Sequence, residues 1–339
     1  MDDLRARAAA LTDLATPVVL RIASTTGLLR HLAREPATVR QLAAEHDLPR
    51  PAVVRIVRLL AARGVVAVSS DQAEPTVQAT DLGRLLDDGP GGAYATRLDW
   101  RGAAGELDRA FVTDFADVID GHRPDDVWTR FGTDEQFSRS FDEMMRARAV
   151  EWTPPVVEHP VWGTVDRVVD LGGGLGHLVT ALLDRWPQLH ATLVDRPVVA
   201  RRSAAELAGH RHAARLQVVG GDILSRIPPG ADGYLLAHVL HDWDDDHAVR
   251  ILTTAGTAAR ESDGAVIVVE RVLPDQVGAG DPVTLEAVLQ DVRLYVLFGG
   301  GERTQPEFCE LADRSGLALE SVSPLSGLRR LMILRPVDR

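Results

Sequence analysis

The spacing of apolar residues divides the chain into a helical N-terminal part and a C-terminal part in which strand and helix patterns alternate. In residues 4–22 the apolar positions recur at helical spacing, which predicts a first helix. Residues 38–41 have the form of a capping box that opens a short helix, and residues 49–63 predict a second helix that ends at Gly64.

Short apolar runs follow these helices. Residues 65–68 and Val77 flank a polar tip at residues 69–74, which predicts a small β-wing, and Thr80 is placed to cap a helix over residues 81–86. The order helix, turn, helix, wing indicates a winged helix. Such a module suggests DNA binding, and four arginines on its second helix support that interpretation: Arg50, Arg55, Arg58 and Arg63. Because acidic residues lie close by in the sequence, an ordinary solvated face is the favoured interpretation.

A linker and a helical segment connect the winged helix to the rest of the chain. Residues 87–92 contain only Asp, Gly and Pro, which is typical of a linker. Residues 94–152 are predicted to be largely helical, and Pro154 and Pro155 are expected to end this segment. Its aromatic residues are interpreted mainly as core, although some could line a substrate pocket because the segment leads directly into the next strand.

Strands and helices alternate through the remainder of the chain, which predicts an α/β domain. Strands are predicted at residues 166–171, 191–195, 215–220, 232–237 and 265–270. Two further extended runs, residues 317–322 and 328–334, would close the sheet with a hairpin and leave one antiparallel strand in a mostly parallel sheet.

The first of these strands runs directly into a glycine cluster. Gly172, Gly174 and Gly176 are spaced as G-x-G-x-G, whereas the dinucleotide fingerprint requires G-x-G-x-x-G, so a cofactor such as NAD is disfavoured. Asp195 ends the second strand and Asp222 follows the third, where carboxylates contact a bound nucleoside. Together these features resemble the S-adenosylmethionine site of class I methyltransferases, with a generic α/β domain as the alternative.

Composition narrows the classes of protein. The 339 residues are 45% hydrophobic, which suffices for two domains with separate cores. The net charge of −12 argues against a general affinity for nucleic acid or anionic membrane. The sequence shows neither a signal-peptide core nor an apolar run long enough to span a bilayer, which predicts a cytoplasmic location. A single cysteine, Cys309, excludes an intramolecular disulfide and a cysteine-rich zinc site.

One histidine and two glutamates follow the later strands. His241 comes after the fourth strand, Glu270 ends the fifth, and Glu302 lies on a glycine turn before the helix cap at residues 304–307. Because ligands bind outside the carboxyl ends of parallel strands, this set suits a general base oriented by carboxylates. A surface histidine is the simpler alternative.

Other histidines and acids near this motif have simpler interpretations. His177 and His238 are taken as structural or surface residues. A metal site formed by His241, Asp242 and Glu270 is conceivable, although the acids at 244–246 are better explained by the positive N-terminus of the following helix.

The whole chain resembles the caffeate/hydroxyneurosporene-type small-molecule O-methyltransferases. The resemblance rests on the winged helix, V-V-D-L-G-G-G-L-G, L-H-D-W-D-D and G-G-G-E-R-T in this order, with L-H-D-W as the most specific part. It implies a class I methyltransferase Rossmann-like sheet preceded by a winged-helix dimerisation domain. The implied domains are residues 1–90 for the winged helix, 91–155 for a helical connector that contributes to the substrate pocket, and 156–339 for S-adenosylmethionine binding.

The resemblance also implies roles for individual residues. His241 would be the catalytic base, and Glu270 and Glu302 would position its ring. The residues implied to contact S-adenosylmethionine are Asp170, Gly172, Gly174, Gly176, Asp195, Gly221, Asp222, Ile223 and Ala237. The residues implied to line the acceptor site are Phe141, Met145, Trp152, Asp291, Leu294, Tyr295 and Phe298. No metal ion is expected.

The expected function is transfer of a methyl group from S-adenosylmethionine to a hydroxyl, phenolic in character, of an aromatic or polyketide-like natural product. S-adenosylhomocysteine would be the second product. Two alternatives stay open: a relative that has drifted to hydroxylation, decarboxylation or cyclisation, and a cofactor-sensing DNA-binding regulator. The expected partners are the small acceptor and a second copy of the chain, with neither nucleic acid nor membrane.

Overall fold

The computed structural model describes residues 2–69, 74–122 and 127–337. They form two compact units, the first from residues 1–109 and 134–147 and the second from residues 110–133 and 148–339. The division into three domains expected from the sequence stays a prediction.

The first unit contains a winged helix. Its helices are α1 (Asp2–Leu11), α2 (Ala15–Thr25), α3 (Leu28–Arg34), α4 (Val39–Glu45), α5 (Arg50–Ala62), α6 (Asp81–Leu86) and α7 (Ala93–Arg97), and its strands are β1 (Ala37–Thr38), β2 (Val66–Ser69) and β3 (Thr76–Ala79). The strands pair antiparallel in the order β1-β3-β2. The predicted winged helix is confirmed, except that residues 70–73 of the predicted wing tip lie outside the described residues.

Local side-chain chemistry explains where these helices begin. Thr38 accepts a hydrogen bond from the backbone N–H of Gln41, whose side chain accepts one from the N–H of Thr38, so the predicted capping box is confirmed. Thr80 likewise caps α6. The apolar face of α5 then packs into a buried cluster with the wing and with α2 to α4.

The single helix predicted over residues 4–22 is wrong, because the structure has two helices there. The helix is interrupted between α1 and α2, where a carboxylate oxygen of Asp13 accepts hydrogen bonds from the N–H groups of Ala15 and Thr16. These bonds satisfy donors that a new helix start leaves free. Pro17 fits this first turn because it has no N–H to lose.

Three helices connect the winged helix with the sheet: α8 (Ala103–Ile119), α9 (Val127–Thr133) and α10 (Glu135–Val157). The prediction that Pro154 and Pro155 end the last helix is wrong, since both lie inside α10. Inside a helix each proline loses one backbone hydrogen bond, and its ring crowds the carbonyl of the preceding turn. Burial of Val156 and Val157 in the core holds the final turn in place.

The second unit is built on one twisted sheet. Its strands are β4 (Arg167–Leu171), β5 (His190–Asp195), β6 (Leu216–Gly220), β7 (Gly233–Ala237), β8 (Ala265–Leu273), β9 (Arg303–Thr304), β10 (Leu317–Pro324) and β11 (Arg329–Pro336), and its helices are α11 (His177–Arg185), α12 (Pro197–Leu207), α13 (Asp245–Glu261), α14 (Pro282–Phe298) and α15 (Gln305–Arg314). The order is β6-β5-β4-β7-β8-β11-β10, with β9 beside the end of β8.

Strands β4 to β8 run parallel, and β11 is antiparallel to both of its neighbours, so the predicted mostly parallel sheet with one antiparallel strand is confirmed. Successive side chains of a strand face opposite sides of a sheet. Val168 therefore packs into one apolar cluster and Val169 into the other. Apolar clusters cover both faces of the sheet. The strand ends are therefore where a ligand can reach polar groups of the sheet. In the part of the chain that the structure describes, no helix is long and apolar enough to cross a membrane.

Candidate active site

The glycine loop follows β4 at the carboxyl edge of the sheet. Gly172, Gly174 and Gly176 all have positive φ, at 75°, 57° and 81°, a conformation that side chains with a Cβ rarely adopt. The N–H of Gly172 donates to the Val194 carbonyl at 2.8 Å, and the N–H of Gly174 donates to Asp195 Oδ2 at 2.9 Å. These bonds fold the loop against the end of β5.

Two acids lie beneath this loop. Asp195 accepts hydrogen bonds from the N–H groups of Gly174 and Arg196, and burial raises its pKa. Asp170 is 2% exposed, its Oδ2 has no hydrogen-bond partner among the described residues, and burial together with the Asp195 charge raises its pKa to about 7. A buried carboxyl with an unused oxygen beside bare backbone is suited to a ligand that carries hydroxyl groups or positive charge.

The other residues predicted to bind the cofactor lie at the same edge. The N–H of Gly221 donates to the Asp195 carbonyl at 2.9 Å, which ties the end of β6 to the end of β5. Asp222 and Ile223 follow, the first accepting the Leu224 N–H and the second packing partly buried against the core. Ala237 ends β7 and is half-buried. The structure thus brings the predicted set to neighbouring strand ends, while its contacts with a cofactor stay a prediction.

His241 lies in the short 3₁₀ turn Leu240–Asp242 after β7. Its Nδ1 is 3.3 Å from Glu270 Oε2 and 3.4 Å from Glu302 Oε2, and both carboxylate side chains are 0% exposed. A neutral imidazole carries one N–H, so a proton kept on Nδ1 by two carboxylates leaves Nε2 as the basic nitrogen. The three residues that the sequence separates therefore meet at one point.

Backbone contacts hold the two carboxylates in place. Glu270 Oε1 accepts the N–H groups of Val239 and Leu240 at 2.9 and 2.8 Å, so the second oxygen is turned toward His241. On the other side, the N–H of Glu302 donates to Asp291 Oδ1 at 2.8 Å. Asp291, predicted to line the acceptor site, thus supports the loop that carries Glu302.

The glycine turn before Glu302 packs directly against the backbone of His241. The N–H of Gly301 donates to the His241 carbonyl at 2.9 Å, and a Cβ on Gly300 would overlap that same carbonyl oxygen. Arg303, which is 6% exposed, adds hydrogen bonds to the carbonyls of Leu240 and Trp243. The G-G-G-E-R segment therefore clamps the turn that presents the histidine.

These surroundings change the acid–base properties of the site. Burial lowers the pKa of His241, but the negative charges of Glu270 and Glu302 outweigh it and raise the pKa to about 10. Burial raises the pKa of Glu270 to about 7, and burial also raises the pKa of Asp242 to about 6. His241 is consequently a stronger base than an isolated histidine.

His238 was interpreted as a structural or surface residue, and the structure places its largely buried ring beside Glu270 and His241. Its Nδ1 is 3.7 Å from Glu270 Oε2, its ring centroid is 5.4 Å from that of His241, and its φ is 55°. Burial and the neighbouring His241 charge lower its pKa well below the usual value, so the ring is neutral. Its place three residues before His241 was a signal in the sequence, but the backbone turn that directs it inward was not visible there.

A metal site formed by His241, Asp242 and Glu270 was the alternative here, and the structure groups His238 rather than Asp242 with the other two residues. His238, His241 and Glu270 each offer one ligand atom within 4.8 Å of the others. His241 Nδ1 has a hydrogen bond to Glu302 Oε2 at 3.4 Å and lies 3.3 Å from Glu270 Oε2, and the expectation that no metal is bound stays a prediction. Asp244 accepts the N–H of His247 and caps α13, as expected from the helix interpretation of the acids at 244–246.

The predicted acceptor-site residues differ in exposure. Trp152 packs edge-on against His238 with ring centroids 4.8 Å apart, Tyr295 is 42% exposed, and Leu294 is 2% exposed and therefore packed inside. Phe141 and Met145 belong to the first unit, whereas the other predicted residues belong to the second.

Trp128 and Trp243, which sequence reasoning did not assign to the site, form an aromatic group with the predicted Phe298 at the same sheet edge. Trp128 of α9 stacks on Trp243 with centroids 4.9 Å apart and also contacts Phe298 at 5.5 Å. The Arg196 guanidinium lies over the Trp128 ring at 5.4 Å. Trp243 stands inside the L-H-D-W motif, which was the available signal, but the position of Trp128 depends on tertiary structure.

Three features define an S-adenosylmethionine-dependent methyltransferase of class I. They are a glycine loop after the first parallel strand, acids after the next two strands, and a histidine between carboxylates. Comparison with known proteins specifies the family. Residues 114–318 match the O-methyltransferase domain, and residues 23–74 match the MarR family. The chain belongs to the O-methyltransferase family, whose cofactor is S-adenosylmethionine.

Several of its relatives take part in the biosynthesis of natural products. The 2,7-dihydroxy-5-methyl-1-naphthoate 7-O-methyltransferase of Streptomyces carzinostaticus is 33% identical over 326 residues, 94% of each chain. Aclacinomycin 10-hydroxylase RdmB of Streptomyces purpurascens is 34% identical, with 92% of this chain and 83% of the relative covered. The crystal structure of the O-methyltransferase NcsB1 from neocarzinostatin biosynthesis, with S-adenosylmethionine and 2-hydroxy-5-methyl naphthoic acid, matches with a TM-score of 0.85 and 31% identity, covering 97% of this chain and 98% of that one.

Proposed function

We propose that the protein methylates a hydroxyl group of an aromatic natural product and that His241 is the general base. The observation that carries the proposal is the position of His241 Nδ1 within 3.4 Å of both Glu270 and Glu302. In this assignment the carboxylates fix the ring and its tautomer, and Nε2 faces the acceptor hydroxyl.

The glycine loop and the adjacent acids suit the methyl donor. S-adenosylmethionine supplies an already activated methyl group on a positively charged sulfur. Asp195 would accept hydrogen bonds from the ribose hydroxyls, and the unpaired Oδ2 of the buried Asp170 offers a further hydrogen-bonding position beside the loop. Asp222 and Ile223 would bracket the adenine. With the donor already activated, the protein has to align the acceptor oxygen and remove its proton.

The basicity of His241 matches that task. A phenol has a pKa of about 10, whereas an ordinary histidine has a pKa of about 6.5, so proton transfer between them would be uphill. The two carboxylates raise the pKa of His241 to about 10, which removes most of this difference. The reactive form is the neutral imidazole, and the proton moves from the acceptor hydroxyl to Nε2 as the oxygen attacks.

Two comparisons support a flat hydroxylated acceptor, since a relative is named for a dihydroxynaphthoate and a matched crystal structure is a complex with a hydroxylated naphthoic acid. The test is incubation with methyl-labelled S-adenosylmethionine and a panel of hydroxylated naphthoic acids, phenazines and anthracyclines, followed by mass spectrometry. Labelled methyl ethers, formed with one equivalent of S-adenosylhomocysteine, are the expected products.

Hydroxylation is the second candidate, because the hydroxylase RdmB is 34% identical. The same experiment distinguishes the two reactions. A product heavier by one oxygen atom and free of label would favour hydroxylation, whereas a labelled methyl ether supports methyl transfer. The position of His241 between two carboxylates favours methyl transfer, because it suits a general base.

We also propose that the chain forms a homodimer through α1 and α2. Apolar side chains on this segment stay exposed, with Leu11 88% and Leu14 78% accessible. An apolar surface of this kind on a soluble domain marks an interaction site. A second copy is the simplest occupant, because dimerisation is typical of the family.

A further inference from the structure

Arg329, the first residue of β11, is a buried cation with little to neutralise it. The residue is 7% exposed, and its Nε has no hydrogen-bond partner among the described residues. Its Nη1 lies 3.4 Å from Glu151 Oε1, but that glutamate side chain is 76% exposed. An ion pair with an exposed partner contributes little, whereas a buried guanidinium needs hydrogen-bond acceptors for several N–H groups.

A second arginine lies beside Arg329. Arg271 on β8 pairs directly with Arg329 in the antiparallel register, and its side chain is 11% exposed. Its Nη2 lies 2.8 Å from Glu286 Oε1, but the Glu286 side chain is 64% exposed. Like charges opposite each other on neighbouring strands repel. Burial and the Arg271 charge accordingly lower the pKa of Arg329.

The two arginines border the proposed catalytic site. Arg271 follows Glu270 in β8, and one of its nitrogens is 3.9 Å from Glu302 Oε1. Both guanidinium groups are near enough to His238 for their charges to add to the effect of burial on its pKa. A group bound between them would therefore lie close to His238, whose ring centroid is 5.4 Å from that of His241, the proposed base.

We propose that Arg329, supported by Arg271, binds a carboxylate of the acceptor. The inference rests on the proposed function, because it assigns an anionic substituent to the same hydroxylated aromatic molecule. A carboxylate supplies two oxygens in the planar geometry that a guanidinium matches, and it would satisfy the unused Nε. Its negative charge also offsets the repulsion between the two arginines. The acceptor is thus an aromatic hydroxy acid.

The test compares an acid with its uncharged counterpart. Binding of 1,4-dihydroxy-2-naphthoic acid and of its methyl ester to the complex with S-adenosylhomocysteine is measured by calorimetry, which needs no turnover. The wild type should bind the acid more tightly. In Arg329→Gln, affinity for the acid should fall roughly 10- to 100-fold, as for the loss of a charge-assisted hydrogen-bond pair, with the ester little affected. Arg329→Lys, which keeps the charge, should retain part of the preference.

A matched control lies on the same strand. Arg335 is 48% exposed in its side chain and pairs with Glu320 away from the site, so Arg335→Gln should bind both compounds as the wild type does. If Arg329→Gln lowers the melting temperature of the protein, Arg271→Gln tests the same site, with a smaller expected loss of affinity for the acid. Equal wild-type affinity for acid and ester, or equal losses for both in the variant, would overturn the inference. Arginine-dependent binding of the acid without any methyl transfer would instead count against the proposed function alone.

Discussion

Replacement of His241 tests the central assignment. If this residue is the general base, His241→Ala should reduce kcat by about 10²–10⁴, the usual contribution of a positioned base, while S-adenosylhomocysteine binds with nearly unchanged affinity. His241→Gln should be almost as slow, because an amide donates or accepts a hydrogen bond but does not take a proton. His247, exposed by 47% in the same segment, provides the control, and His247→Ala should turn over normally.

The structure also predicts the pH dependence. The reactive form is neutral, and the carboxylates raise the pKa of His241 to about 10, so most of the enzyme is protonated at neutral pH. Each pH unit below that pKa reduces the neutral fraction about tenfold. kcat/KM should therefore rise with pH toward about 10, and this rise should be absent from the residual rate of His241→Ala.

The carboxylates have a smaller part in the reaction. In Glu270→Gln the Val239 and Leu240 N–H groups keep an acceptor, and Glu302 still holds the Nδ1 proton, so the loss of kcat should be smaller than for His241→Ala. Initial rates from pH 6 to 9 on the acceptor found by the labelling screen measure all these effects. A wild-type profile that is flat over this range, or near-normal turnover by His241→Ala, would refute the assignment.

Four further outcomes follow from the same contacts. Asp195→Ala should weaken S-adenosylhomocysteine binding at least about tenfold in calorimetry, through lost charge-assisted hydrogen bonds, and NAD binding to the wild type would contradict the site. Gly300→Ala should lower kcat and the melting temperature together, because its Cβ overlaps the His241 carbonyl; an unchanged kcat would argue against the clamp. In light scattering the wild type should be a dimer, and the double variant with Leu11→Glu and Leu14→Glu should be a monomer. A monomeric wild type would exclude this interface. A low-salt gel shift should show no DNA binding, and a salt-sensitive shift would revive the regulator alternative.

Much of the architecture follows from local sequence. Three short-range features of the sequence appear in the structure. They are a β-branched strand that runs into glycines at positive φ, acids at strand ends, and threonines that cap a helix together with a residue three positions later. The break between α1 and α2 and the continuation of α10 through Pro154 were not predicted. In both places the outcome depends on a balance of caps, lost hydrogen bonds and burial that a hydrophobic pattern does not contain.

The candidate site depends on tertiary structure. The sequence predicted His241 and the two carboxylates as a set, but His241 and Glu302 are 61 residues apart, and their contact arises because β8 lies beside β7 and β9 beside β8. The pairing of β11 with β8 opposes Arg271 to Arg329, and the N–H of His238 donates to the Val269 carbonyl of β8 at 2.9 Å. Residue types and strand ends are encoded locally, whereas burial and the distances between charges, which determine pKa values and unpaired groups, exist only once the sheet has formed.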